Sequence, residues 1–108
     1  MPETSEFPFD FEFLNQTNLQ DEDLYALAYE EITGITEGHT DIVGASVSIE
    51  ELSSGTTPHA FKVRVVIYIR PENIAATEVK PSALEALQQA LKAAIRQVRE
   101  KRDRLRNY

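Results

Sequence analysis

The most regular alternation in the chain runs over residues 61–70. Apolar side chains occupy every second position from Phe61 to Ile69, while the positions between them, from Lys62 to Arg70, are mostly charged or polar. A period of two is typical of a β-strand with one buried face and one open face. A strand of this kind needs other strands beside it and a second layer over its apolar face. No other feature constrains the fold as strongly.

Three further segments predict the rest of a sheet. Residues 7–13 alternate phenylalanine with polar residues, and Pro8 restricts this strand's start to an edge or first position. Residues 43–49 alternate Val, Ala, Val and Ile with small polar residues, which predicts a second strand. Residues 53–58 are rich in Ser, Thr, Gly and Pro, so they predict the turn of a hairpin between residues 43–50 and 61–70. A short fourth strand is predicted at residues 74–78.

Two helices complete the predicted elements. Thr17 and Gln20 have the spacing of a capping box, and apolar residues at helical spacing follow until Gly34 and Gly38, which predicts an end in the mid-thirties. Pro81 and Ser82 open a second helix that runs nearly to the C-terminus. Arg102 interrupts its apolar stripe, so the last two turns are expected to project beyond the core. The stripe consists of Leu84, Leu87, Leu91, Ile95, Val98 and Leu105.

The order β-α-β-β-β-α predicts an α+β fold: a four-stranded mixed sheet with two helices packed on one face. Because a helix joins the first two strands, we expect them to be parallel neighbours, with the later strands paired as antiparallel hairpins. Residues 1–6 are expected to form a flexible N-terminus. Residues 7–108 are expected to form a single domain.

Positive charge is concentrated near the C-terminus. Residues 79–108 contain eight Lys or Arg and three Asp or Glu, a net charge of +5, whereas residues 1–78 carry −12 of the chain's total of −7. Such an asymmetry indicates a local anionic partner. Helical positions 96, 99, 102 and 106 share or adjoin one stripe, so their cations can neutralise several phosphates together. The alternative is a solvated helix end whose cations complement the negative end of the helix dipole.

The segments 74–87 and 95–106 resemble the ribosome hibernation-promoting factor family, also called ribosome-associated inhibitor A or sigma-54 modulation protein. The resemblance implies a domain related in shape to double-stranded RNA-binding domains. It also implies binding in the decoding channel of the small ribosomal subunit, which inhibits translation in slow growth or stress. On this resemblance, the expected contacts with ribosomal RNA are Arg96, Arg99, Lys101, Arg102, Arg104 and Arg106, with Lys62, Arg64 and Arg70 on the third strand as secondary contacts.

The first helix departs from the family pattern, in which this helix is usually basic. It has no Lys or Arg, and its acids are Asp21, Glu22, Asp23, Glu30, Glu31 and Glu37. This supports an alternative function on the same fold: a protein-interaction module whose acidic first helix binds a basic protein partner, without ribosome binding. The cations of the third strand likewise have an alternative role in cross-strand pairing with Asp10, Glu12 and Glu50. The phenylalanines of residues 7–13 are expected in the core rather than in a base-stacking surface.

Other functional classes find no support in the sequence. The absence of cysteine excludes disulfides, thiolate chemistry and cysteine-ligated metals. His39 and His59 are expected in surface loops, with no ligand spacing around them that indicates a metal. No nucleophile–base arrangement or Gly-rich phosphate loop is present, so neither an enzyme nor a cofactor is expected. No apolar run approaches the roughly 18–20 residues of a membrane span, and the acidic N-terminus does not resemble a secretion signal, which predicts a cytoplasmic protein.

Overall fold

The computed structural model describes residues 10–17, 22–36, 42–54, 57–69 and 72–106; of residues 53–54, 57–59 and 102–106 it describes the backbone alone. The described residues form six elements. The observed order confirms the predicted β-α-β-β-β-α arrangement and the α+β class. The elements are β1 (Asp10–Gln16), α1 (Glu22–Thr36), β2 (Ile42–Ser54), β3 (Thr57–Ile69), β4 (Ile74–Lys80) and α2 (Ala83–Arg106).

The four strands form one sheet in the order β1-β2-β3-β4. β1 pairs parallel with β2, while β2–β3 and β3–β4 are antiparallel, as the element order predicts. The alternation in β3 is confirmed, since Val63, Val65 and Ile67 are fully buried while Lys62 and Arg64 on the other face are exposed. The buried faces of the strands and both helices belong to one core cluster. The helices therefore cover one face of the sheet and leave the other face open.

Several strand boundaries differ from the prediction. The β2–β3 pairing extends to Ser54 and Thr57, so the turn predicted over residues 53–58 is wrong at both of its ends, which belong to the strands. Residues 55–56 lie outside the described residues. β4 continues to Lys80 and β1 to Gln16, beyond the predicted ends at residues 78 and 13. Apolar periodicity misses these ends because backbone hydrogen bonds continue a ladder through polar residues. The predicted start of β1 at residues 7–9 lies outside the described residues.

Helix α1 packs through the apolar positions that its spacing predicts. Leu24, Ala28 and Ile32 are buried, and the helix ends at Thr36, in the expected region.

At the end of β1, the backbone N–H and the hydroxyl of Thr17 both donate to Asn15 Oδ1, at 3.0 and 2.6 Å. Gln20 lies outside the described residues, so the capping box stays a prediction.

Helix α2 begins as predicted, but its predicted stripe is wrong at one position. The backbone N–H of Glu85 donates to the Ser82 hydroxyl at 3.2 Å, which makes Ser82 the N-cap. Leu84 is 47 % exposed and lies outside the core. The reason is that four alanines turn toward the sheet and let the helix approach closely, which rotates Leu84 outward. The buried residues of α2 are Ala83, Ala86, Leu87, Ala90, Leu91, Ala94, Ile95 and Val98.

An aromatic cluster joins β1 to α1. Phe11 and Phe13 are half-buried and meet the ring of Tyr25 edge-on, with centroids 5.6 and 5.3 Å away. Tyr25 in turn stacks on Tyr29 at 6.0 Å, and pairs of this geometry stabilise beyond the area that they bury. These two phenylalanines therefore pack as part of the core, as expected, although the tyrosines that receive them were not predicted. Phe7 and Phe9 lie outside the described residues.

Candidate nucleic-acid interface

Three exposed cations line one edge of helix α2. Lys92, Arg96 and Arg99 are spaced by four and three residues, which places them on one face of the helix over a length of about 10 Å. We call these three residues the cationic row. Arg96 and Arg99 are predicted contact residues, whereas Lys92 was not among the residues predicted from the sequence. Its position four residues before Arg96 is the feature that could have identified it.

The cationic row borders a groove of about 720 Å³ between α1 and α2. The floor of this interhelical groove is apolar and includes Leu27, Ile35, Leu91 and Ile95. The side of the groove that α2 forms therefore carries three cations.

The opposite wall of the groove is acidic. Glu30 and Glu31 on α1 are both exposed and line the groove across from the cationic row; we call this pair the acidic wall. Among the groove side chains that the structure describes, no ion pair within 4.0 Å joins the two walls. Across the described part of the groove, the charges of the two walls are therefore exposed and not paired with each other. The sequence predicted exposed acids on this helix, but not that two of them would face the cations of α2.

Lys101 has a different position from Arg96 and Arg99. Its ammonium nitrogen donates to the backbone carbonyl of Glu72 at 2.9 Å, and Gln97 Nε2 donates to the carbonyl of Ala75 at 3.3 Å. Both contacts fix the opposite edge of α2 to β4 and the segment before it. Lys101 is half-buried and contributes to holding the helix in place, and its expected contact with ribosomal RNA stays a prediction.

Lys62 and Arg64 lie on the open face of the sheet, away from the cationic row. Glu50 stands directly opposite Lys62 in the β2–β3 register, and Asp10 and Glu12 are exposed on the same face, as expected. Arg64 stands between Ser48 and Thr77, without an acid directly opposite. The sheet separates these two cations from the helices, so the structure does not bring the two predicted groups together.

The remaining predicted contacts are described only in part. Arg102, Arg104 and Arg106 belong to the backbone of the last turns of α2, and nothing is described of their side chains. Arg70 and His39 lie outside the described residues. The prediction that His59 lies in a loop is wrong: its backbone belongs to β3, because the β2–β3 pairing continues beyond the apolar alternation. Of His59 the backbone alone is described. The projection of the last two turns of α2 beyond the core stays a prediction.

A second cavity, of about 570 Å³, lies on the open face of the sheet. Its lining includes Asp10, Glu12 and Tyr68, so its charge is negative, which does not suit a phosphate. Within the described ranges, no group of three or more His, Cys, Asp or Glu lies together as metal ligands would. None of the helices described is both long and apolar enough to span a membrane.

Comparison with known proteins gives a fold likeness without a sequence relative. The sequence matches no family model and no curated protein. Among solved structures, a ribosomal subunit interface protein from Coxiella burnetii superposes with a TM-score of 0.68, covering 88% of this chain and 99% of that chain. Sequence identity over this match is 9%. The chain therefore shares its fold, over nearly its whole length, with a ribosomal subunit interface protein.

Proposed function

We propose that this protein is a cytoplasmic ribosome-associated factor of the hibernation-promoting type. It binds ribosomal RNA of the small subunit near the decoding channel and lowers translation. The observation that carries the proposal is the cationic row, Lys92, Arg96 and Arg99, which leads along one face of α2 toward its basic C-terminal end. The fold shared with a ribosomal subunit interface protein supports the choice of the ribosome as the source of RNA.

The arrangement suits a phosphate backbone rather than base edges. Cations held on one helix face neutralise neighbouring phosphates, and each neutralised phosphate releases condensed counterions into solution. A row about 10 Å long spans two or three phosphates of a strand, which gives affinity without sequence readout. Lys62 and Arg64 lie on the other face of the sheet, so any contact that they make with RNA is separate from that of the row.

The test is co-sedimentation of the full chain with 30S and 70S particles at about 50 mM and about 200 mM salt. The double variant Arg96→Ala/Arg99→Ala should bind more weakly, and its salt slope should fall by about one for each lost phosphate contact. Absence of the wild-type chain from ribosomal fractions at the lower salt concentration would contradict the proposal.

The matched control is Lys62→Ala/Arg64→Ala. This variant removes the same amount of charge from the open face of the sheet, and all four substituted side chains are exposed. If binding depends on the cationic row, the control should retain the wild-type salt slope. Equal losses in both double variants would show that net charge, and not the row, determines binding.

The acidic wall favours a second candidate function, the protein-interaction module that binds a basic protein. Glu30 and Glu31 face the groove, and Glu22 and Asp23 are exposed at the start of the same helix. Their field attracts a cationic partner and repels RNA. Purification of the tagged full chain distinguishes the two functions: recovery of a basic protein without ribosomal RNA favours the module, and recovery of ribosomal RNA favours the ribosome-associated factor.

A further inference from the structure

The two walls of the interhelical groove carry opposite charge, and this bears on what the cationic row can bind. Lys92, Arg96 and Arg99 line one side, while Glu30 and Glu31 line the other. Exposed charges affect one another over a Debye length of about 10 Å at 0.1 M salt, and both sets of charges line the same groove. An anion that approaches the row therefore also approaches two carboxylates.

We propose that the acidic wall acts as a built-in competitor for the cationic row, so that the row retains long phosphate chains and rejects isolated phosphate groups. This inference concerns the site of the proposed function and rests on it. It assigns a role to Glu30 and Glu31, which set the affinity and selectivity of α2 for polyanions.

The selectivity follows from how many charges each ligand places in the groove. A single phosphate between the walls meets attraction from three cations and repulsion from two carboxylates, so much of the attraction is offset. A phosphate chain extends along α2, past the positions that face Glu30 and Glu31, toward the last turns of the helix at Arg106. Only the part of the chain beside the acidic wall is repelled, while every neutralised phosphate releases counterions.

The apolar floor of the groove strengthens this competition. Leu27, Ile35, Leu91 and Ile95 lie beneath both walls, and low-dielectric surface beneath charges focuses the field that they produce. Glu30 and Glu31 lie within one turn of α1, so the acidic wall opposes the row at one place instead of along its full length. The C-terminal end of α2 lies beyond it.

The experiment measures polyanion binding to the purified full chain, without ribosomes. Fluorescence anisotropy with labelled oligouridylate of about 16 nucleotides reports the long chain. Uridine monophosphate, followed by amide chemical shifts, reports the isolated phosphate. The variant Glu30→Gln/Glu31→Gln should bind the oligonucleotide about threefold to tenfold more tightly than wild type at low salt, and it should gain measurable monophosphate binding at the groove residues.

The control variant is Asp10→Asn/Glu12→Gln. It removes the same two negative charges from exposed positions on the open face of the sheet. Under the proposal it should change oligonucleotide affinity by less than about twofold and gain no monophosphate binding. Equal tightening in both double variants, or no change in Glu30→Gln/Glu31→Gln, would overturn the proposal.

The experiments distinguish a failure of this inference from a failure of the proposed function. Oligonucleotide binding that is tightened by Glu30→Gln/Glu31→Gln, in a chain that does not co-sediment with ribosomes, would leave the inference standing and contradict the ribosomal assignment. Ribosome binding by a chain whose oligonucleotide affinity is unchanged by Glu30→Gln/Glu31→Gln would overturn the inference and leave the proposed function intact.

Discussion

At the residue scale, two glycines of the described structure occupy opposite environments. A Cβ atom at Gly44 in β2 would lie 3.1 Å from the Asp10 carbonyl oxygen and 3.3 Å from Tyr68 Cδ2, whereas one at Gly34 in α1 would meet no atom within 4 Å. Gly44→Ala should therefore lower the free energy of unfolding by about 1 kcal/mol, because β1 or the Tyr68 ring must shift. Chemical denaturation measures the change.

Gly34→Ala is the matched variant. Both substitutions stiffen the unfolded chain in the same way, so the difference between them isolates the contacts in the folded state. In a helix, alanine replaces glycine with a gain of about 0.5–1 kcal/mol, so Gly34→Ala should stabilise the protein. Stabilisation by Gly44→Ala of the same size would show that Tyr68 and β1 adapt without cost.

At the scale of the element, α2 provides a test of how the helix meets the sheet. Leu87 is fully buried, whereas Leu84, one turn earlier, is 47 % exposed. Leu87→Ala should lower the free energy of unfolding by about 2–5 kcal/mol, through lost burial and a new cavity. Leu84→Ala should cost less than about 0.5 kcal/mol. Similar losses from both substitutions, in thermal or chemical unfolding, would show that Leu84 packs in the core as Leu87 does.

Sequence patterns predict the elements better than they predict rotation about a helix axis. The alternation of β3 correctly identifies Val63, Val65 and Ile67 as core, because strand side chains have only two faces to choose from. In α2, both leucines and alanines could face the sheet. Alanines such as Ala86 and Ala90 are buried there, because their small side chains let the helix pack close to the sheet. Hydrophobicity ranks leucine first and so selects Leu84 wrongly.

The same limit applies to the candidate site. The sequence identifies Arg96 and Arg99 from charge and spacing, since both are properties of one helix. It does not show that Glu30 and Glu31 face them, because that depends on how α1 and α2 pack on the sheet. The sequence also predicts that Lys62 and Arg64 contact the same RNA as the cations of α2, although the sheet lies between these two groups of residues. The sequence predicts which residues share one face of a helix or strand. Which residues of two different elements face each other depends on how those elements pack.

At the scale of the whole molecule, charge of each sign is concentrated in a different part of the chain. Residues 1–78 carry a net charge of −12 and residues 79–108 a net charge of +5. On the helix side the two signs meet across the interhelical groove, while the open face carries both acids and cations. Added salt should therefore raise the stability of the fold, because it screens the net repulsion among the charges of the chain. It should lower the affinity for RNA, because it screens the attraction between the cations of α2 and phosphates.

The last prediction follows from this imbalance. With a net charge of −7, the folded chain repels itself, and added salt screens that repulsion. The unfolding midpoint should rise by about 2–5 °C between low salt and physiological salt. Differential scanning calorimetry in KCl measures the shift, and KCl is preferred because sulfate would strengthen apolar burial by exclusion from the surface. Glu30→Gln/Glu31→Gln, with two fewer negative charges, should show a smaller rise. A midpoint that falls with KCl would mean that attraction between the acidic and basic segments outweighs the repulsion and holds the fold together.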